Sequence, residues 1–279
     1  MVSDTRVVYV YGTGRNGSTA LGQALALQPG WTHLGELHLI WQQGVVEDRL
    51  CECGQRFSRC PFWQSVLEEM GITRPGALQA ADDYVSTCRI RHSSRALRQA
   101  IWPSTAQEHR FQETITRLYR AIGRVSGASV IVDTSKAPTY GALAATAVDE
   151  VAVHLVRDPR AVAYSWEHQK PDPSLGEGGL MPRVGFVRTA VDWNARVRLV
   201  PALTRRYARQ ALTVTYEEFV AHPYETAVGI INATTGEGPS DEISVLRGGR
   251  ITRAPGHSIA GNPIRFERVE ARIHADERW

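Results

Sequence analysis

The stretch RVVYVYGTGRNGST, residues 6–19, joins a short apolar run to a turn that contains three glycines. The run is rich in β-branched and aromatic residues, which is typical of a buried strand. Good helix formers follow in residues 19–28 and stop at Pro29-Gly30. A strand, a glycine turn and a helix in this order predict the opening of an α/β unit.

The same order of patterns returns three more times along the chain. Continuous apolar strands that alternate with helices predict a parallel sheet covered on both faces. We therefore predict a single α/β domain over residues 1–279, with a P-loop-like central parallel sheet flanked by helices. The later strands are predicted at residues 128–133, 151–156 and 211–215, a helical insertion at about 60–126, and a mobile Pro- and Gly-rich loop at about 170–181.

The composition indicates a globular protein. The chain has 279 residues, of which 43% are hydrophobic and 22% charged, and the net charge of +3 is too small to indicate a nucleic-acid partner. No apolar run reaches the length of a transmembrane helix and no signal peptide is evident, so we expect a cytoplasmic protein. Only Lys136 and Lys170 are lysines, against 30 arginines, so either lysine is conspicuous.

The glycine turn nearly matches the phosphate-binding pattern GxxxxGK[ST]. Gly12, Gly17 and Thr19 stand at the expected positions, but Ser18 replaces the lysine and the cation lies earlier, at Arg15. Backbone N–H groups at such a strand-to-helix turn suit a phosphate. The alternative is a tight turn whose glycines serve geometry alone.

A second anion site is predicted where residues 151–156 end. Arg157 follows this strand directly, and Ser165 comes eight residues later on the predicted helix. Arg can bind a phosphate through two N–H groups, and ligands collect at the carboxyl ends of parallel strands. Two such sites suggest a nucleoside with phosphates at both ends. The alternative is a surface pair of Arg157 and Asp158 with a solvated Ser165.

Together these two segments resemble the nucleotide signatures of the sulfotransferase family, which uses 3′-phosphoadenosine 5′-phosphosulfate (PAPS). Residues 12–19 resemble the 5′-phosphosulfate loop in its bacterial form, where Arg replaces Lys, and residues 156–166 resemble the 3′-phosphate segment. The resemblance implies a sulfotransferase fold, a PAPS donor and no metal. It also implies these donor-binding residues: Gly14, Arg15, Asn16, Gly17, Ser18, Thr19, Arg157 and Ser165.

Further segments extend the resemblance over nearly the whole chain. Residues 133–140 (DTSKAPTY) are similar to a Lys-x-Pro-x-Tyr stretch of carbohydrate sulfotransferases, and Trp193-Asn194 to a pair in bacterial members. Tyr216 begins a segment that resembles the one near the adenine, and residues 261–266, with Arg265, resemble a carboxy-terminal phosphate loop. The histidine-base motif and the Arg-Lys-Gly run of the mammalian cytosolic members are absent.

The resemblance also implies in-line sulfuryl transfer to a hydroxyl of a small-molecule, sugar or lipid acceptor. Arg15 and Lys136 would stabilise charge on the leaving phosphate, and Glu36 would be the general base. His38 is the alternative base: the two side chains share a face if the segment is extended and diverge if it is helical. Glu36 could instead be a carboxylate at a helix N-terminus, and Lys136 a solvated lysine.

The cysteines leave three interpretations open. Cys51, Cys53 and Cys60 match zinc spacing poorly, and Cys88 is a possible fourth ligand that the sequence does not bring near. A local disulfide and free thiols are the alternatives, and we expect no metal.

Two further classes of function compete with a sulfotransferase. A P-loop kinase or NTPase would use residues 130–133 (VIVD) as its magnesium-binding strand, but it lacks the lysine of the loop. A non-catalytic nucleotide-binding module would be stabilised by nucleotide without transferring any group.

Overall fold

The computed structural model describes residues 5–88, 105–252, 256–267 and 270–274. Five parallel strands form the central sheet in the order β2-β3-β1-β4-β5, and β6 and β7 form a small antiparallel pair. The strands are β1 (Arg6–Gly12), β2 (Trp31–His33), β3 (Val130–Lys136), β4 (Asp149–Val156), β5 (Gln210–Thr215), β6 (Arg250–Thr252) and β7 (Glu270–Arg272).

Helices cover both faces of the sheet. The α-helices are α1 (Ser18–Leu25), α2 (Pro61–Glu69), α3 (Arg74–Cys88), α4 (Ala106–Ser126), α5 (Pro138–Ala145), α6 (Pro159–Glu167), α7 (Phe186–Tyr207), α8 (Tyr216–Ala221) and α9 (Pro223–Thr235). A π-helix spans Ile40–Val46, and short 3₁₀ helices span Leu37–Leu39, Phe57–Arg59, Pro173–Leu175, Asp241–Gly248 and Pro263–Phe266.

The alternation of side chains along β1 builds the two layers of the core. Tyr9 and Tyr11 pack on one face with residues of α2, α3 and α4. Val8 and Val10 pack on the other face with residues of α1 and α9. From Val7 to Tyr11 both faces of β1 are buried, as expected for the central strand of a parallel sheet.

The predicted fold class is confirmed: the chain forms a single α/β domain around a parallel sheet. The four predicted strands correspond to β1, β3, β4 and β5, and β3 runs three residues beyond its predicted end at Asp133, as far as Lys136. The predicted helical insertion contains α2, α3 and α4, while residues 89–104 lie outside the described residues.

The loop at 170–181 has a defined internal structure. Pro171 forms a β-bridge with Leu180, and Asp172 accepts hydrogen bonds from the backbone N–H and hydroxyl of Ser174. Asp172 is buried although the loop is mostly exposed. The mobility of this loop stays a prediction.

None of the described helices is both long enough and apolar enough to cross a membrane.

Candidate active site at the carboxyl edge of the sheet

Each strand of the central sheet delivers a predicted site residue to the same edge. Residues 13–17 follow β1, Glu36 follows β2, and Lys136 ends β3. Arg157 follows β4 and Tyr216 follows β5. Because β1 lies between β3 and β4, its loop opens where the strand order changes direction, the usual ligand crevice of such sheets.

The glycine turn after β1 is held open by its backbone. Gly17 has φ of 91° at the start of α1, and a Cβ there would lie 2.4 Å from the ring of Tyr216. The Asn16 side chain donates to the carbonyl of Leu155 at 2.9 Å and accepts from the N–H of Ser18 at 3.2 Å. The turn is therefore fixed to the end of β4 with space only for glycine at position 17.

Arg15 carries buried hydrogen-bond donors that no described residue satisfies. Its Nε and Nη2 atoms have no hydrogen-bond partner among the described residues. Its guanidinium lies over the Trp166 ring, 4.7 Å from the centroid. Burial lowers the pKa of Arg15 despite the nearby charges of Glu36 and Asp172. Unpaired buried donors are costly unless a ligand completes them, so they fit an oxyanion.

Lys136 connects the loops after β1 and β2. Its Nζ lies 2.9 Å from Glu36 Oε1 and donates to Ser18 Oγ at 3.2 Å and to the carbonyl of Thr134 at 2.6 Å. The residue is 7% exposed, so it is not a solvated lysine. Its φ of 62° is rare for a non-glycine residue, and such backbone strain collects at functional sites.

Glu36 and His38 point in different directions. A 3₁₀ helix begins at Leu37, directly after Glu36, so the extended arrangement that would place both side chains on one face does not form. Glu36 meets Lys136, whereas the buried His38 ring lies beside Tyr84 and Tyr140, with centroids 5.9 and 6.2 Å away.

The two candidate bases also differ in charge. Burial by itself would raise the pKa of Glu36, but Lys136 and His38 hold that pKa below its usual value, so the side chain is a carboxylate. Burial lowers the pKa of His38 to about 4, so its ring is neutral near pH 7. The ionised group beside Lys136 is therefore Glu36.

Arg157 lies on the other side of the glycine turn. Its Nη1 donates to the carbonyl of Arg15 at 3.0 Å, and its guanidinium lies 4.3 Å from the centroid of the Tyr216 ring. Trp193 on α7 donates to the Arg157 carbonyl at 2.9 Å. Ser165 is half-buried on α6, next to the Trp166 that covers Arg15. The structure thus brings Arg15, Arg157 and Tyr216 together.

Arg265 lies on the Glu36 side of the site. It is buried and donates to the carbonyls of Gly261 at 2.7 Å and Ile259 at 3.2 Å. Asp172 Oδ1 is 3.9 Å from its Nη2. Burial lowers the pKa of Arg265, while Asp172, Glu52 and Glu36 oppose that shift. The role of Arg265 at the 3′-phosphate stays a prediction.

Arg196 is a member of this site that the sequence did not reveal. From α7, its Nη1 donates to the carbonyls of Lys136 at 2.7 Å and Gly12 at 3.1 Å, and Asp192 holds its Nε at 2.8 Å. It therefore supports the ends of β1 and β3. The one signal nearby was Trp193-Asn194, which lies in the same helix.

Asp133 is unsuited to hold magnesium. It is fully buried and accepts hydrogen bonds from the Tyr119 hydroxyl at 2.5 Å, from the Ser135 N–H at 2.8 Å and from the Ser135 hydroxyl. Burial raises its pKa to about 6. The carboxylate proposed for a kinase or NTPase thus faces the core.

This chain resembles known proteins in structure and in sequence. Two solved structures resemble this chain, each at 18% identity with a TM-score of 0.48. One is the sulfotransferase domain of the Synechococcus PCC 7002 olefin synthase, and the match covers 93% of this chain and 82% of that domain's chain. The other is sulfotransferase STF1 of Mycobacterium tuberculosis H37Rv, and the match covers 88% of this chain and 71% of that one. No curated protein sequence matches significantly. A sequence model described as "Sulfotransferase family" matches residues 8–235. This chain therefore belongs to the sulfotransferase family.

Proposed function

We propose that this protein transfers a sulfuryl group from PAPS to a hydroxyl of a small-molecule, sugar or lipid acceptor. The observation that carries the proposal is the pair of buried, unpartnered donor atoms on Arg15 beside the Lys136–Glu36 ion pair. Together they supply what the reaction needs: cations for the leaving phosphate and a carboxylate for the acceptor proton. When bound, PAPS would supply the activated sulfuryl group.

The residues around the glycine turn fit a nucleoside that carries anions at both ends. The backbone of residues 14–17, the hydroxyls of Ser18 and Thr19 and the guanidinium of Arg15 would hold the 5′-phosphosulfate. Arg157 and Ser165 would hold the 3′-phosphate, and the Tyr216 ring would lie near the adenine. Arg265 stays a predicted contact of the donor, and its charge also acts on Glu36.

The reaction balances without a further reagent. The bond between sulfur and the phosphate oxygen breaks as the acceptor oxygen bonds to sulfur, and the acceptor proton passes to Glu36. Arg15 and Lys136 stabilise the negative charge that grows on the released phosphate. One preorganised donor of this kind is worth about 3–4 kcal/mol of barrier in other enzymes.

In the direct test, the purified protein is incubated with PAPS and a panel of alcohols, phenols and sugars. We expect an acceptor to gain the mass of a sulfuryl group while adenosine 3′,5′-bisphosphate appears, with no requirement for added magnesium. Magnesium-dependent ATP hydrolysis without sulfation would support the kinase or NTPase alternative instead. Stabilisation by nucleotide with no sulfation of any acceptor would support a non-catalytic module.

A further inference from the structure

Three cysteines and one histidine converge outside the proposed active site. The ligand atoms of Cys51, Cys53, Cys60 and His257 all lie within 4.8 Å of one another. His257 Nδ1 is 3.3 Å from Cys60 Sγ and 3.9 Å from Cys51 Sγ, and the Sγ atoms of Cys53 and Cys60 are 3.6 Å apart. Cys51 and Cys60 are fully buried.

These distances match the edges of a zinc tetrahedron. Zn–S bonds of about 2.3 Å and Zn–N bonds of about 2.0–2.1 Å give edges of about 3.8 Å between sulfurs and about 3.6 Å between sulfur and nitrogen. A disulfide would need sulfurs about 2.05 Å apart. We propose that these four residues bind one structural Zn²⁺ ion with Cys₃His coordination.

The coordination would be closed and would involve no redox step. Each thiol loses its proton and donates an electron pair to Zn²⁺, and the neutral imidazole donates the fourth pair. Four protein ligands leave no position for a reacting group, which is typical of structural zinc. Cys88, the fourth ligand weighed from the sequence, lies in α3 and is not among the clustered ligands; His257 takes that place.

The surroundings of His257 fix its position. The Trp63 indole donates to the His257 carbonyl at 2.7 Å, and the Phe62 ring stacks on the imidazole with centroids 4.5 Å apart. Next to it, two hydrogen bonds join Ser258 and Glu52: the Glu52 N–H donates to the Ser258 carbonyl at 3.0 Å, and the Ser258 N–H donates to the Glu52 carboxylate at 3.2 Å. Contacts of this kind orient metal ligands.

The zinc would join two distant parts of the chain beside the proposed active site. It connects the loop of residues 51–60 to residues 256–267, which run over the segment that carries Glu36. The Glu36 N–H donates to the Ala260 carbonyl at 3.4 Å, and a Cβ on Gly35 would lie 2.4 Å from that same oxygen. The ion would thus hold residues 256–267 against the loop of the proposed base.

The test is metal analysis of the full chain purified under reducing conditions without added metal. We expect about one zinc per chain by mass spectrometry. We expect zinc exchanged for cobalt to show the visible absorption of tetrahedral, thiolate-bound Co²⁺. Cys60→Ser and His257→Ala should each weaken zinc binding by more than roughly 10–100-fold, which is the loss expected when an outer-shell contact is removed. Chelation should speed hydrogen exchange at Ser258 and Glu36, whose N–H groups donate across these contacts.

Matched controls lie outside the cluster. Cys88→Ala removes a buried thiol, and His222→Ala removes an exposed histidine, and both should keep full zinc content. A wild-type protein that lacks zinc and takes up no cobalt, that holds iron instead, or that shows a Cys53–Cys60 disulfide in freshly reduced samples would overturn the proposal. Sulfuryl transfer is measured separately, so failure of one proposal leaves the other standing.

Discussion

At the scale of single residues, Lys136 is the group that links the loops of the proposed site. It ends β3 and contacts both Ser18, from the loop after β1, and Glu36, from the loop after β2. In the free protein its charge balances Glu36. When an anion occupies the glycine turn, the same ammonium is near enough to Ser18 to act on that anion while Glu36 accepts a proton.

Removing the charge of Lys136 should slow transfer strongly with little change in fold. We expect Lys136→Met, which keeps the aliphatic chain, to lower kcat by about 10²–10³, the usual loss for one preorganised donor. The double variant with Glu36→Gln should lose less than the product of the two single losses, because the two side chains interact directly. Full activity in Lys136→Met would contradict its assigned role.

Glu36 and His38 can be separated as candidate bases. We expect Glu36→Gln to lower kcat by about 10²–10⁴ and to leave the affinity for adenosine 3′,5′-bisphosphate nearly unchanged, because an amide cannot accept the proton. His38→Gln is the matched comparison, and it should retain most of the activity. If instead His38→Gln is the variant that fails, or Glu36→Gln impairs only nucleotide affinity, the base is not Glu36.

At the scale of elements, the glycine turn depends on a backbone conformation at Gly17 that other residues rarely adopt. Gly17→Ala should reduce nucleotide binding at least tenfold, since its φ is 91° and the new methyl group would collide with Tyr216. Gly127→Ala is the control: φ is 68° there at the end of α4, but nothing lies within 4 Å of a Cβ. Calorimetric titration of both variants with adenosine 3′,5′-bisphosphate measures this difference. Equal binding by the two variants would refute this explanation.

The sequence predicts the elements well where its signal is local. The apolar runs locate β1, β3, β4 and β5 because a central parallel strand must be apolar on both faces. Arg15 and Arg157, the residues proposed to bind anions, could likewise be predicted as site residues, because the turns that carry them have local patterns. The structure indeed brings these two together.

Residues that reach the site through tertiary packing carry no such signal. Arg196 supports the site from the middle of a helix, and nothing in its neighbours specifies its carbonyl partners. His257 meets Cys60 across 197 residues of sequence, so no spacing rule can pair them. Arg265 lies near Asp172, a contact that its local motif does not predict.

At the scale of the whole molecule, burial of titratable groups links stability to pH. Burial lowers the pKa of His154 to about 4 from 6.5, so the folded chain binds fewer protons there than the unfolded chain between these values. His33 and His38 behave alike. Stability from these groups is complete above pH 6.5 and is lost as pH falls toward 4. The contribution of Asp133 to stability changes with pH in the opposite direction, because its raised pKa favours the protonated side chain in the folded state.

His154 allows this link to be measured alone, because it lies in β4 outside the proposed machinery. Between pH 6.5 and 4 its neutral burial accounts for up to about 3 kcal/mol of lost stability. We expect the free energy of unfolding of His154→Gln to fall less over this range than that of the wild type. Urea unfolding at several pH values checks this, and parallel curves for the two proteins would refute it.

The central claim is that this molecule binds a nucleoside by anions at both of its ends. Calorimetric titration with adenosine 3′,5′-bisphosphate tests it most directly. We predict saturable binding by the wild type, roughly 10–100-fold weaker binding by Arg15→Ala and by Arg157→Ala, as expected for loss of a charged partner, and unchanged binding by Arg124→Ala on the surface. No binding by the wild type, or binding that neither active-site arginine affects, would contradict the account.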